Sequence, residues 1–200
     1  MRNTPRQARA SETVERLLTT SMALIEERGL DGFNTNLLAE RVGVRVPSVY
    51  RYFPNKQAIV ATLYRRLTEE WHPLFEEGFR RLADPALDWR EECDALGRRL
   101  LDLLQRSPSR LAIRRAMRAN EVLVEIERED NQFVAERFAA AVAPRVRSHD
   151  EADLVVAGRT WINAMSAVVD VALELPRAEQ EDQFRENFRL VRAYLAEYLD

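Results

Sequence analysis

Three features of the sequence predict an all-α fold. Apolar residues recur at spacings of three and four along nearly the whole chain, and no stretch alternates with the period of two that marks a strand. Glycine and proline stand between these stripes, at Gly29, Gly43, Pro108, Pro144 and Pro176, where helices should stop or start. Residues that cap helices, among them Ser11, Asn55, Asp88 and Asn120, sit just ahead of the stripes.

In order along the chain, residues 1–10 hold Arg2, Arg6 and Arg9 without an apolar pattern and read as a mobile arm. Ser11 caps a first helix over 11–28, whose stripe is Val14, Leu17, Leu18, Ser21, Leu24 and Ile25; Gly29 ends it. Thr35 then caps a short helix with Leu38 and Val42 inward, and Gly43 closes it in the left-handed conformation that a C-terminal cap needs. Val44 plugs the turn. A second short helix opens with Pro47 in its first turn, where a missing N–H costs nothing, and turns Val49 and Phe53 inward. Ser48, Arg51 and Tyr52 are left on its outer face. Two short helices around so tight a turn have the layout of a helix-turn-helix, whose second helix enters the DNA major groove.

Asn55 caps a fourth helix over 56–71, which Pro73 closes or kinks near His72. A short helix over 74–82 carries Phe75, Phe79 and Leu82 on one face, and Asp84-Pro85 is a turn. Asp88, with Glu91 three residues on, opens a helix whose stripe is Trp89, Cys93, Leu96, Leu100, Leu103 and Leu104. Ser107-Pro108 starts the next, through Leu111 and Met117. Asn120 caps a long helix carrying Leu123, Ile126, Phe133, Phe138 and Val142, ended by Pro144. Ser148 and Glu151 form a capping box for a helix over 149–174, which is apolar on more than one face. A last helix over 179–199 presents Phe184, Phe188, Val191, Leu195 and Tyr198. The domain division expected is 1–55 for the helix-turn-helix domain and 56–200 for a larger helical domain.

The net charge of −3 hides an asymmetry. Residues 1–66 carry eleven basic and six acidic side chains, about +5, against about −8 for the remainder. The positive end suits phosphates and the negative end repels them. Arg51 is the first choice for a base contact, since a guanidinium binds guanine O6 and N7 together, worth roughly 1–3 kcal/mol of discrimination. Ser48 is less selective, Val46 and Pro47 suit thymine methyls, and Tyr50 and Tyr52 can set hydroxyls on phosphates. Lys56, the chain's one lysine, opposes the dipole of the helix it opens, whereas a phosphate there would meet both the ammonium and free amides. Thr35 and Asn36 do likewise at the start of the first motif helix.

Thr35, Leu38-Ala39, Gly43-Val44, Tyr50, Phe53 and Lys56 stand at the spacing of the TetR family of bacterial transcriptional repressors, which the stretch 29–56 resembles without a gap. The Tyr50-x-x-Phe53-x-x-Lys56 extension makes the resemblance specific. It implies that Thr35, Tyr50 and Lys56 contact phosphates. Two positions depart from the family pattern: Arg45 stands where serine is frequent, and Val46 where a polar base reader is common. Arg45 weakens the helix cap but adds a charge facing the groove.

The resemblance also implies that the C-terminal half encloses a small-molecule pocket and pairs through its last two helices. The segments 149–174 and 179–199 match that role, so a homodimer on a palindromic operator in double-stranded DNA is expected. Ligand-binding candidates are Trp89, Cys93, Leu100, Met117, Asn120, Phe138, Trp161 and Met165. Family members that take magnesium-tetracycline use a histidine near the helix matching 111–117; this chain has none there, and His72 alone matches another ligand position. An apolar organic effector is expected instead.

No cofactor, metal or catalytic residue is expected. His72 and His149 lie outside any metal-binding spacing, and the run Glu125, Glu127, Glu129 and Asp130 reads as a solvated helix face. Cys93, the single cysteine, falls on a core stripe; it excludes an internal disulfide and fits a reducing cytosol. No apolar run nears the roughly 18 residues of a membrane span, and the N-terminus lacks the apolar core of a secretory signal. A cytoplasmic regulator released by a ligand is the leading expectation. A regulator or activator without a small-molecule ligand comes second, and a helical enzyme or scaffold is a remote third.

Overall fold

The structure, a computed structural model, describes residues 5–106, 108–146 and 150–199. Among these residues it is helical throughout: α1 (Pro5–Gly32), α2 (Thr35–Val42), α3 (Val46–Tyr50), α4 (Lys56–Ala83), α5 (Trp89–Gln105), α6 (Pro108–Arg118), α7 (Glu121–Val142), a 3-10 turn (Ala143–Arg145), α8 (Glu151–Ala172) and α9 (Arg177–Leu195). The all-α expectation holds.

The chain forms two compact units, Met1–Leu67 with Ser107–Ile126, and Thr68–Arg106 with Glu127–Asp200. In the first unit, α1 buries Leu17, Leu18, Leu24 and Ile25, together with Leu38, Val42, Val49, Phe53, Ile59 and Leu63. The unit also takes in α6, which packs on α1; the Ser109 hydroxyl donates to the Glu26 carboxylate. Helical structure begins at Pro5, so residues 5–10 of the expected arm belong to α1, and Ser11 lies inside the helix rather than at its cap. Proline suits a first helical turn, which explains the earlier start. Gly29 breaks the regular geometry where expected, at φ 66°, before a last turn reaches Gly32.

The second unit is built on aromatic contacts. Phe79 lies 5.5 Å from Phe138 and 5.8 Å from Trp161, and Phe138 lies 5.6 Å from Trp161, mostly in tilted or edge-on arrangements. Gly158 lets α8 approach α7: a Cβ there would lie 3.1 Å from the Ala135 carbonyl oxygen and 2.9 Å from the Phe138 ring. Gly97 lies against the ring of Phe188, joining α5 to α9, and Arg192 pairs with Asp94 across the same pair of helices. Arg81 donates to Glu92 at 2.5 Å, and that hydrogen bond holds the carboxyl below its usual range.

Several expectations need correction here. Pro73 neither closes nor splits its helix, and the short helix over 74–82 is the continuation of α4. Trp71, Phe75, Phe79 and Leu82 are all buried, so one apolar stripe crosses the proline and its burial outweighs a cost of about 3 kcal/mol. Phe133, placed on the buried stripe of α7, is exposed and packs at a tilt of 36° against His72, with ring centroids 5.1 Å apart. Asp150 caps α8 by accepting from Asp153 N at 2.8 Å; Ser148, proposed for that cap, lies outside the described residues, as do Ser107 and His149. Asp88 caps α5 by accepting from Arg90 N at 2.9 Å.

α8 is the one helix among the described residues that bears on the reading of membrane spans. It has 22 residues, and an 18-residue stretch of it reaches a mean hydropathy of 1.2, long and apolar enough to cross a bilayer by composition alone. Its inner face, Leu154, Ala157, Gly158, Trp161, Ile162, Met165 and Ala172, is packed within the second unit.

Candidate nucleic-acid interface

The turn between α2 and α3 is made by Gly43 at φ 76°, ψ 36°, with Val44 N donating to the Ala39 carbonyl at 2.9 Å. From the far side, the Arg16 guanidinium donates to the Val42 carbonyl at 2.7 Å and satisfies a second acceptor at the end of α2. α3 is one turn long. Arg45 stands at its N-cap in extended conformation with no side-chain hydrogen bond, Pro47 follows in the first turn, and Val49 is wholly buried against α2. Residues 51–53 carry on as a turn, with Tyr52 N and Phe53 N both donating to the Val49 carbonyl at 3.0 Å.

This packing decides what faces outward. Asn36, Arg45, Pro47, Tyr50 and Arg51 are exposed; Val46, Ser48, Tyr52 and Lys56 are half-buried. Thr35 is buried, and it is not the cap of α2. Asn34 takes that place, its Oδ1 accepting from Leu37 N at 2.9 Å. Asparagine is the stronger capping residue of the two, a signal present in the sequence. The Thr35 hydroxyl is thereby released, and it lies 3.0 Å from the Tyr50 hydroxyl. Asn55 caps α4 as expected, accepting from Ala58 N at 2.8 Å.

Lys56 has a structural partner that its sequence position did not suggest. Its ammonium donates to the Leu30 carbonyl at 3.3 Å, just beyond the break at Gly29. That acceptor offsets part of the unfavourable dipole at the start of α4, and two of the three ammonium protons remain for other partners.

Family models match both parts of the chain. The model described as bacterial regulatory proteins, tetR family, covers residues 17–63, and that of the tetracyclin repressor-like C-terminal domain covers residues 88–195. This chain belongs to the TetR family.

Residues 17–63 contain α2, α3 and the Asn55 cap, so the stretch matched by the family model includes the surface just described. Among curated TetR relatives, the class A tetracycline repressor of transposon 1721 from Escherichia coli is 38% identical over 56 residues, 28% of this chain and 26% of that protein. The class G repressor of Vibrio anguillarum is 32% identical over 74 residues, 37% of this chain and 32% of that protein. The aligned part is thus a quarter to a third of these relatives. Solved structures extend the likeness of fold. A TetR-family regulator from Streptomyces coelicolor superposes with TM-score 0.67 at 24% identity, over 94% of this chain and 99% of that one. SmeT, the repressor of the Stenotrophomonas maltophilia SmeDEF efflux pump, gives 0.68 at 19% identity, over 94% and 90%. SmeT is also known in complex with triclosan. The TetR family is one of transcriptional regulators that bind DNA through a helix-turn-helix.

The residues named for a ligand divide between the two units. Trp89, Cys93, Leu100, Phe138, Trp161 and Met165 are buried in the second. Met117 and Asn120 belong to the first, where Asn120 caps α7 by accepting from Val122 N at 3.0 Å. Burial pushes the Cys93 thiol up to about 12, with the neighbouring Asp94 charge adding to it, so it is a core group without nucleophilic character at neutral pH. Within the second unit an open groove of about 800 Å³ is lined by His72, Pro73, Glu76, Glu77, Phe79, Arg80, Ala83 and Ala141; of these only His72 matches a ligand position of the family by sequence, and none is among the eight ligand-binding candidates.

Proposed function

We propose that this chain is a cytoplasmic TetR-family repressor that binds a palindromic operator as a homodimer and is released by a small apolar organic molecule. The observation that carries the reading is the outward face of α2 and α3. Asn36, Arg45, Pro47, Tyr50 and Arg51 are exposed on it, while Leu38, Val42 and Val49 beneath them are fixed by burial. In this proposal Arg51 reads a base edge, with Ser48, Val46 and Pro47 beside it. Asn36, Arg45, Tyr50, Tyr52 and Lys56 serve the backbone.

Pairing is supported by the outer faces of α8 and α9. Val156 and Val171 are 50% and 60% exposed, and Leu190 is 56% exposed. Ala164 and Ala167 lie on the same outward side of α8. A second copy covering these faces would form a four-helix interface and impose two-fold symmetry on the operator.

The effector reading draws on unpaired polar groups in the second unit. The indole nitrogens of Trp89 and Trp161 and both amide atoms of Asn187 are buried without a hydrogen-bond partner. Such orphans are uncommon in native cores; the two indole N–H groups and Asn187 Nδ2 would donate to a bound molecule, and Asn187 Oδ1 would accept from it. Release would follow if that molecule favours a geometry whose reading heads no longer match successive grooves.

The reading is tested by selecting sites from randomised duplex DNA, then measuring affinity across a salt series. Palindromic sites with steep salt dependence are expected. Full affinity in both Lys56→Ala and Arg51→Ala would remove the reading head as assigned. Triclosan, the SmeT ligand, is a suitable first probe for release.

A further inference from the structure

We infer that Thr35 is a positioning residue for Tyr50: its buried hydroxyl donates to the Tyr50 hydroxyl and turns the Tyr50 proton outward, toward a DNA phosphate. The inference rests on the DNA-binding reading above and deepens it.

Thr35 is only 9% exposed, and its hydroxyl lies against that of Tyr50. Capping does not occupy the Thr35 hydroxyl, because Asn34 accepts from Leu37 N. Its oxygen lies 3.0 Å from Tyr50 Oη, a hydrogen bond between the first residue of α2 and the last residue of α3. Tyr50, by contrast, is 49% exposed.

A hydroxyl carries one proton and can accept as well as donate. The bond can therefore run either way in the free protein. A phosphate oxygen only accepts, so Tyr50 can bond it only by pointing its proton outward. Tyr50 Oη must then accept from inside, and Thr35 is the donor in place to supply that bond. The result is a chain from Thr35 Oγ1–H to Tyr50 Oη–H to phosphate oxygen. Each bond in such a chain polarises the next. Thr35 is well suited to hold one end, since a β-branched side chain has little freedom at χ1 and its surroundings are packed. The tyrosine ring is thus held before DNA arrives, which lowers the ordering cost of binding. Thr35 acts on DNA through Tyr50 instead of touching phosphate itself, as the family resemblance alone would imply.

A double-mutant cycle tests this. Thr35→Val, Thr35→Ser, Tyr50→Phe and the Thr35→Val/Tyr50→Phe pair are titrated by fluorescence anisotropy against a duplex that wild-type protein selects from a random pool. Thermal unfolding is followed in parallel, and Thr35→Ala replaces Thr35→Val if the valine variant does not fold. We expect Tyr50→Phe to weaken binding about tenfold and Thr35→Val about threefold to fivefold, the scale of one neutral hydrogen bond. Thr35→Ser should stay within twofold of wild type, and the double variant should bind no worse than Tyr50→Phe alone.

Losses that multiply in the double variant would overturn the inference, because Thr35 would then act independently of Tyr50. So would a serine variant as weak as the valine one, since only shape would matter. Full affinity in Tyr50→Phe alongside a weakened Thr35→Val would overturn the relay while leaving DNA binding in place. A wild-type protein that binds no duplex with salt-dependent affinity would instead refute the DNA-binding reading, and the relay with it.

Discussion

Replacing Arg45 by serine should raise stability and lower DNA affinity together. Arg45 holds the N-cap of α3 at φ −76°, ψ 144°, already the extended conformation of a cap, yet its side chain makes no capping bond. Serine normally contributes about 1 kcal/mol at such a position. Here the gain should be nearer 0.5 kcal/mol. Pro47 has no N–H to offer, and Ser48 N already donates to the Arg45 carbonyl at 2.8 Å. The cost falls on binding. Arg45 is exposed on the proposed DNA face, and removing one charge-assisted contact costs about 1.5 kcal/mol, roughly tenfold in Kd. One phosphate contact contributes a salt slope of about −0.9, so the gap between wild type and Arg45→Ser should shrink about 3.5-fold between 50 and 200 mM salt. Urea unfolding and anisotropy titrations at the two salt concentrations measure both halves. Unchanged affinity with an unchanged salt slope would show that Arg45 faces away from DNA. A drop in stability would refute the capping argument.

Other outcomes follow from the same geometry. Asn34→Ala removes the bond to Leu37 N and should lower stability by about 1 kcal/mol, read in chemical unfolding. Gly158→Ala gains about 1 kcal/mol of helix propensity but sets a methyl 3.1 Å from the Ala135 carbonyl, where overpacking costs about 1–3 kcal/mol. A lower melting temperature is expected, and an increase would mean that α7 and α8 separate easily. Cys93 should resist alkylation by iodoacetamide at pH 8 until the protein unfolds. Its pKa is raised from 9.0 to about 12 by burial, so its contribution to stability is intact below pH 9 and is lost as pH rises toward 12. Cys93→Ala should flatten that part of the pH profile, measured by unfolding at a series of pH values.

The helices were legible wherever one face alone was buried. α5 shows it well: Asp88 caps it, and Trp89, Cys93, Leu96, Leu100, Leu103 and Leu104 are all buried, as their spacing predicts. Gly43 was equally readable, since a positive φ leaves few residues to choose from. What escaped depends on partners distant in sequence. Pro73 reads locally as a breaker, and only the burial of Trp71 and Phe75 on either side explains why α4 runs on. Phe133 has the spacing of a core residue, but His72, from another helix, meets it at the surface. At the reading head, the outward residues could be chosen from the pattern of α3. Three bonds could not: Arg16 to Val42, Lys56 to Leu30 and Thr35 to Tyr50 each link positions 15 to 26 residues apart.

The exposed valines of α8 carry a consequence for how such a regulator behaves at low copy number. If that face is covered only when two chains meet, folding and pairing are linked by mass action. A tenfold change in chain concentration then moves the unfolding free energy of the dimer by about 1.4 kcal/mol. Scarcity would act twice, once by leaving operators vacant and once by loosening the chains that remain. If pairing covers that face as proposed, the number of copies a cell maintains would be part of what keeps Val156 and Val171, exposed in the single chain, out of water.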